Sequence, residues 1–149
     1  MKLKGKIIVT LFIVLVGIQF IPIQRNKSDI VSKDDFIRIY NPPLSVKSIL
    51  ETSCYNCHSN NTSYPWYSYI QPVGMFLQSH IDEGLSELNF SEFNSYSSRM
   101  KNLKLNSIVN QVKDEKMPLP SYLIIHKEAA LSKSEREELT LYINSLLNP

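Results

Sequence analysis

A pentapeptide near the middle of the chain, Cys54-Tyr55-Asn56-Cys57-His58, restricts what the sequence can fold into more than any other feature. The pattern C-x-x-C-H predicts an attachment site for a c-type haem. In such a site both thiols form thioether bonds with the haem, and the adjacent histidine is the proximal axial ligand of the iron. The chain has two cysteines, and both lie in this motif. We therefore expect Cys54 and Cys57 to hold haem c covalently and His58 to bind its iron.

Two other uses of a C-x-x-C spacing are alternatives. A disulfide or a thioredoxin-like redox pair is one, but the redox pair needs a βαβ context, and no strand-rich pattern surrounds the motif. A zinc site is the other, and it needs a second pair of ligands at metal spacing. His80 and His126 are far apart in the sequence and do not form such a pair.

The N-terminus reads as a membrane segment. Lys2, Lys4 and Lys6 precede an apolar run over residues 7–23, which is close to the lower limit of about 17 residues for spanning a bilayer. The run ends in large residues where a cleavable signal peptide requires small ones, so we favour an uncleaved anchor over residues 1–24. The preceding lysines place the N-terminus in the cytoplasm, which predicts a single-pass inner-membrane protein with its body on the periplasmic side. Oxidising compartments also tolerate the C-x-x-C pair.

Charge is unevenly distributed along the chain. Five of the 16 basic residues precede all 14 acidic residues, so the net charge of +2 conceals a mildly acidic body. Such a body does not indicate nucleic-acid binding.

Hydrophobic periodicity predicts an all-α fold. Residues 25–43 look like a linker with a short helix over 34–40, and residues 44–149 form the haem-binding domain. Within that domain we predict helices over 45–54, 72–88 and 97–114. The capping box Ser132-Lys133-Ser134-Glu135 opens a last helix. The expected architecture is a small cytochrome c-like helical domain around a covalently bound haem, preceded by an N-terminal transmembrane helix.

Three residues are candidates for the sixth position on the iron. Met117 is flanked by Lys116 and Pro118, and its thioether is a soft ligand that suits a c-type iron. A gap-filling role in the core is the alternative for Met117. His80, on the apolar stripe of its helix, and His126 are the other candidate ligands, although either could instead bond a backbone group.

An aromatic cluster follows the motif at Trp66, Tyr67 and Tyr69. We expect these rings to lie in the core, where they could also form a wall of the haem pocket.

The chain resembles class I c-type cytochromes in three features, namely a helix leading into C-x-x-C-H, a Met-Pro loop, and a last helix that begins Leu131-Ser132-x-x-Glu135. It is more closely similar to a bacterial haem-binding domain family with the same motif. The further matching stretches are Tyr64-Pro65-Trp66-Tyr67, His80-Ile81-Asp82-Glu83-Gly84, Leu88-Asn89-Phe90-Ser91, and Met117-Pro118-Leu119 followed by Tyr122 and His126. The resemblance covers nearly the whole body and implies haem c binding by Cys54, Cys57 and His58. The extra histidines depart from ordinary cytochromes and leave the sixth ligand open.

Two functions fit this pattern. With His58 and Met117 on the iron, both axial positions are filled, and the protein is a membrane-anchored electron carrier that serves redox partner proteins rather than an enzyme. With the sixth position open, it is a haem-based sensor or a peroxidase-like enzyme in which His80 or His126 acts as a distal acid-base group.

Overall fold

The computed structural model describes residues 3–28 and 30–147, and no β-strand occurs in that part of the chain. Lys2, part of the predicted basic flank, lies outside the described residues. The α-helices are α1 (Leu3–Gly17), α2 (Phe36–Tyr40), α3 (Leu44–Ser53), α4 (Tyr55–His58), α5 (Val73–Glu87), α6 (Ser98–Lys113), α7 (Pro120–Leu123) and α8 (Lys133–Leu147). Four 3-10 helices are interspersed, at Ile18–Phe20, Trp66–Tyr69, Phe90–Ser95 and Lys127–Ala129. The predicted all-α fold is confirmed.

Helix α1 and the 3-10 turn that continues it bury no side chain against the body. By length and composition the segment Leu3–Phe20 is able to cross a membrane, and none of it is buried in the protein. It is the one such helix among the described residues. Its apolar side chains have no intramolecular partner surface, which distinguishes α1 from a core helix.

The core lies between α3, α6 and α8, with the chain from α2 and the 3-10 helix Phe90–Ser95 closing one end. Phe36 is fully buried there, with its ring centroid 5.4 Å from that of Phe90 and 5.0 Å from that of Phe93. Both pairs meet edge to face, an arrangement that aromatic rings favour. The buried apolar residues of this cluster are Phe36, Val46, Ile49, Leu50, Phe90, Phe93, Leu105, Ile108, Val109, Val112, Leu131, Leu139 and Ile143.

The segment predicted to be a linker, residues 25–43, is packed into the body. Phe36 provides a central ring of the core, and the Asn26 side chain donates to the carbonyl of Ser59 and the hydroxyl of Thr62. Asp35 caps α2 by accepting from the backbone of Ile37, and the Tyr55 hydroxyl also donates to this carboxylate, at 3.2 Å. The sequence reads as a linker because it is polar and short of apolar periodicity, whereas its order comes from these individual contacts.

The start of the last helix is as predicted. The Ser132 hydroxyl accepts from the backbone N–H of Glu135 at 3.2 Å, and the Glu135 carboxylate accepts from the backbone N–H of Ser132 at 2.8 Å. These reciprocal bonds form a capping box, which satisfies two donors at the first turn of α8.

Candidate functional site

The two cysteines lie at a break between helices. α3 ends at Ser53, Cys54 leaves helical geometry, and α4 occupies the next four residues. The backbone N–H groups of Cys57 and His58 both bond the Cys54 carbonyl, at 3.2 and 3.0 Å. This tight turn places both thiols and the imidazole on one short segment, and neither thiol takes part in a disulfide.

Burial makes both thiols weak acids. It raises the pKa of Cys54 to about 12, with the neighbouring Cys57 adding to the effect, and it also raises the pKa of Cys57. A thioredoxin-like pair needs a thiol with a lowered pKa, so the environment here disfavours that alternative. The zinc alternative is also unsupported, because the described residues contain no group of three or more His, Cys, Asp or Glu side chains placed to hold a metal ion.

His58 is held in one orientation by the backbone of α5. Its Nδ1 lies 2.9 Å from the carbonyl oxygen of Gly84 and 3.0 Å from that of Leu88. Because carbonyls only accept, Nδ1 carries the proton, and Nε2 keeps its lone pair. Burial lowers the pKa of His58, which also favours the neutral ring. Histidines that bind a metal through Nε2 commonly have this arrangement at Nδ1.

Gly84 allows α5 to come close enough to make those bonds. A Cβ added there would lie 2.9 Å from the carbonyl oxygen of Cys57 and 3.4 Å from the Cβ of Cys57. A side chain at this position would therefore separate α4 from α5 and lengthen the bonds to His58.

A cleft lies beside the motif. It consists of two neighbouring cavities, of about 180 and 220 Å³, that share a wall formed by Ser53, Cys54, His58, Glu87, Met117 and Pro118. Cys57, His80, Gly84 and Tyr122 complete the first cavity, while Phe90, Ile108 and Val112 line the second. A largely apolar space bounded by two thiols, an imidazole with a free Nε2 and a thioether has the chemistry that a bound haem requires.

Met117 reaches the cleft from the loop after α6. That helix ends with Glu115 in the left-handed conformation, at φ 56°, and the backbone N–H groups of Lys116 and Met117 both bond the carbonyl of Gln111. The Glu115 carboxylate also pairs with Arg136 of α8, at 3.0 Å. The loop is therefore turned back over its own helix, and this turn directs Met117 toward the cysteine motif.

His80 also lines the cleft, one turn of α5 before Gly84. Its Nε2 is buried and has no hydrogen-bond partner in the described structure, while its Nδ1 lies 4.0 Å from the Glu83 carboxylate. A buried imidazole nitrogen without a partner costs free energy, so its place beside the cleft indicates a partner supplied by the bound group.

His126 is placed differently from the other candidates. Its Nε2 accepts from the Tyr67 hydroxyl at 2.5 Å, its Nδ1 donates to Glu128 at 2.9 Å, and its ring stacks on Tyr122. It borders a small separate void with Cys57 and Tyr122 rather than the cleft. The structure thus brings five of the six predicted site residues to the cleft, namely Cys54, Cys57, His58, His80 and Met117. The ring of Tyr122, on which His126 stacks, lies between His126 and the cleft.

The prediction for the aromatic cluster is wrong for two of its three rings. Trp66 is 76% exposed and Tyr69 is 63% exposed, and neither lines the cleft. Tyr67 bonds His126, as described above. Sequence reasoning also missed Gly84 and the Leu88 carbonyl as determinants of the site. The motif His80-Ile81-Asp82-Glu83-Gly84 contained the only available signal for Gly84, a glycine inside an otherwise helical pattern.

Comparison with known proteins supports the same ligand. The model of a family described as "haem-binding domain" matches residues 13–145, which is most of the chain and includes the whole cleft. No curated protein matches the sequence. No solved structure matches it either. On the strength of the family match and of the cleft around His58, the chain belongs to the haem-binding domain family.

Proposed function

We propose that this haem-binding protein is a membrane-anchored c-type cytochrome that transfers electrons. The observation that carries the proposal is the placement of His58, whose Nδ1 is fixed by two backbone carbonyls while its Nε2 remains free at a cleft bordered by both cysteines. Cys54 and Cys57 attach haem c through thioether bonds, and His58 is the proximal ligand of its iron.

The haem supplies a one-electron iron centre, and the chain controls its environment. Phe90, Ile108 and Val112 give one side of the cleft an apolar lining. The two carbonyl bonds at Nδ1 keep the His58 ring in the orientation and tautomer that iron binding requires. Low polarity and fixed ligands both favour electron exchange with little rearrangement.

Met117 is the proposed distal ligand. It lies on the cleft wall together with Cys54 and His58, and the loop that carries it is fastened to the Gln111 carbonyl. A thioether opposite a histidine raises the reduction potential of a haem. His80 is an alternative distal ligand because its Nε2 borders the same cleft, and His126 is the third choice because both of its ring nitrogens already have partners.

We also propose a location and partners. The segment Leu3–Phe20 anchors the chain in the inner membrane, and the basic residues at its N-terminal end, Lys4 and Lys6, keep the N-terminus in the cytoplasm. The haem domain then lies in the periplasm, where its partners are other redox proteins.

A second function is favoured by one observation, the unpartnered Nε2 of His80. If Met117 does not bind the iron, His80 is positioned as a distal acid-base group in a haem-based sensor or a peroxidase-like enzyme. Carbon monoxide binding by the reduced protein separates the two functions, because a six-coordinate electron carrier excludes it and an open site binds it readily.

Haem staining of the full chain on a denaturing gel, after expression with a c-type maturation system, tests covalent attachment. We expect a stained band for the native chain and none for the Cys54→Ser/Cys57→Ser variant, because only thioether-linked haem survives denaturation. A native chain that binds haem in solution but loses it on the gel would contradict covalent attachment while leaving haem binding intact.

A further inference from the structure

The end of the apolar helix is fastened to the haem domain rather than joined to it by a free tether. The Gln19 side chain donates to the backbone carbonyl of Gln71 at 3.1 Å and accepts from the backbone N–H of Gln71 at 2.9 Å. Just beyond, the Ile23 side chain packs against Gly74, where an added Cβ would lie 3.2 Å from the Ile23 Cδ1. These contacts fix the start of α5 beside the last turn of the helix.

Arg25 strengthens the same junction. Its guanidinium lies 3.8 Å from the centroid of the Tyr69 ring and 4.6 Å from that of Tyr64, and it donates to the Ser68 hydroxyl at 3.2 Å. A cation over two aromatic faces is a favourable arrangement, and here it joins the segment after the helix to the 3-10 helix Trp66–Tyr69. The relative position of helix and domain is therefore set by contacts on both sides of Gln71.

A surface of exposed apolar side chains surrounds this junction. Trp66, Tyr69 and Phe76 are 76%, 63% and 59% exposed, and Phe20 at the end of the apolar helix is 81% exposed. We call the following set the junction surface: Phe20, Ile21, Trp66, Tyr69, Ile70, Val73 and Phe76. Contiguous exposed apolar surface of this kind marks an interaction site, whereas scattered single residues do not.

The composition of the junction surface indicates what covers it. Residues 17–23 and 66–76 contain no charged side chain, and the second stretch includes the single tryptophan of the chain together with Tyr67 and Tyr69. Tryptophan and tyrosine are enriched where hydrocarbon meets lipid headgroups, because their rings are apolar and their N–H and O–H groups remain hydrated.

The length of the apolar helix gives the depth of this surface. Eighteen residues, Leu3–Phe20, extend about 27 Å as a helix, close to the hydrocarbon thickness of about 30 Å. Gln19, in the last turn, is therefore at the boundary of the hydrocarbon when the helix crosses the bilayer. Gln71 is bonded to Gln19 and so lies at the same depth, with the exposed rings on either side of it.

We propose that the junction surface lies in the headgroup region of the same bilayer that the apolar helix spans, so that the haem domain rests on the membrane through residues 66–76. The inference depends on the proposed membrane anchor. The occupant of the surface is lipid, and the domain has a fixed face toward the membrane.

The test uses the full-length holoprotein in nanodiscs that contain a phospholipid with a photoreactive diazirine at the headgroup end of its acyl chain, close to the ester linkage. After illumination, mass spectrometry locates the lipid adducts. We expect adducts within residues 3–20 and also within residues 66–76. Adducts confined to residues 3–20 would overturn the lipid contact, retain the anchor, and leave the surface to a protein partner. An absence of adducts in residues 3–20 would remove the anchor and this inference together.

A variant with two added carboxylates tests whether the junction surface depends on its apolar side chains for the lipid contact. In the Ile70→Glu/Val73→Glu protein we expect labelling of residues 66–76 to fall about tenfold, since carboxylates resist transfer toward hydrocarbon, while labelling of residues 3–20 is unchanged. The Leu44→Glu variant changes an exposed apolar residue on α3, outside the junction surface, and is the control. An unchanged haem absorption spectrum shows that each variant is folded, and undiminished labelling of a folded double variant would refute the proposal.

Discussion

At the scale of single residues, the site depends on which histidine ring nitrogens already have hydrogen-bond partners within the protein. His58 uses Nδ1 for two backbone carbonyls and leaves Nε2 free, whereas His126 has partners at both ring nitrogens. The sequence ranks these two histidines only by their distance from the cysteines. The structure distinguishes them by hydrogen bonding, which depends on residues remote in sequence, such as Gly84 and Tyr67.

Replacing Met117 tests the proposed distal ligand. In the ferric Met117→Ala protein we expect the methionine-to-iron charge-transfer absorption to disappear, because alanine has no sulfur to donate, and the reduced protein should bind carbon monoxide. Met100→Ala, which removes a partly exposed methionine on α6 away from the cleft, should leave both properties unchanged. A ferric spectrum identical to that of the native protein would transfer the role to His80.

At the scale of elements, the close packing of α4 on α5 orients His58, the proposed proximal ligand. Amphipathic periodicity predicts both ends of α3, α5 and α6 to within one residue, and the capping box predicts the start of α8. Of these helices, α3, α6 and α8 each bury one stripe in a common core. Periodicity does not predict the close approach of α4 to α5, since that approach depends on one residue without a side chain, Gly84. The exposure of Trp66 and Tyr69 was equally beyond prediction, because aromatic residues in a soluble body are ordinarily buried.

Gly84→Ala tests the packing of α4 on α5. Its methyl group would collide with the carbonyl of Cys57, so we expect a loss of about 1–3 kcal/mol in the free energy of unfolding and an altered haem absorption as His58 shifts. Denaturant unfolding of the detergent-solubilised holoprotein, followed by haem absorption, measures both effects. Gly17→Ala is the matched control, since nothing lies within 4 Å of a Cβ at that position. Equal free energies of unfolding for the two variants would show that α4 and α5 can move apart without loss of stability.

At the scale of the whole molecule, one hydrophobic cluster contains most of the buried apolar residues of the body. The body was predicted as residues 44–149, but its core also requires Phe36 from the stretch that resembles a linker. The apolar group Phe36-Ile37-Arg38-Ile39-Tyr40 is too short to establish a period, and the burial of Phe36 is decided by the rings of Phe90 and Phe93 that meet it.

Truncation of Phe36 measures how much the body depends on that stretch. We expect Phe36→Ala to cost about 3–5 kcal/mol, because a fully buried ring leaves a cavity among three other aromatic rings. This is a large fraction of the free energy of unfolding of a small domain, so most of the variant protein should be unfolded at moderate denaturant concentrations. Leu44→Ala, at an exposed position on α3, should stay within about 0.5 kcal/mol of the native protein. If Phe36→Ala lost as little free energy of unfolding as Leu44→Ala, residues 25–43 would lie outside the cooperative unit.

The turn that carries Met117 has a consequence for ligand exchange at the iron. Two backbone bonds to Gln111 and one ion pair at the surface, between the exposed Glu115 carboxylate and the partly buried Arg136 guanidinium, hold it in place. Such a surface pair contributes at most about 1 kcal/mol and weakens with salt. His58, the proposed ligand on the other side, is by contrast held by two backbone carbonyls between closely packed helices. Local opening of this turn therefore requires far less free energy than global unfolding. External ligands would replace methionine through that opening, at a rate that increases with ionic strength.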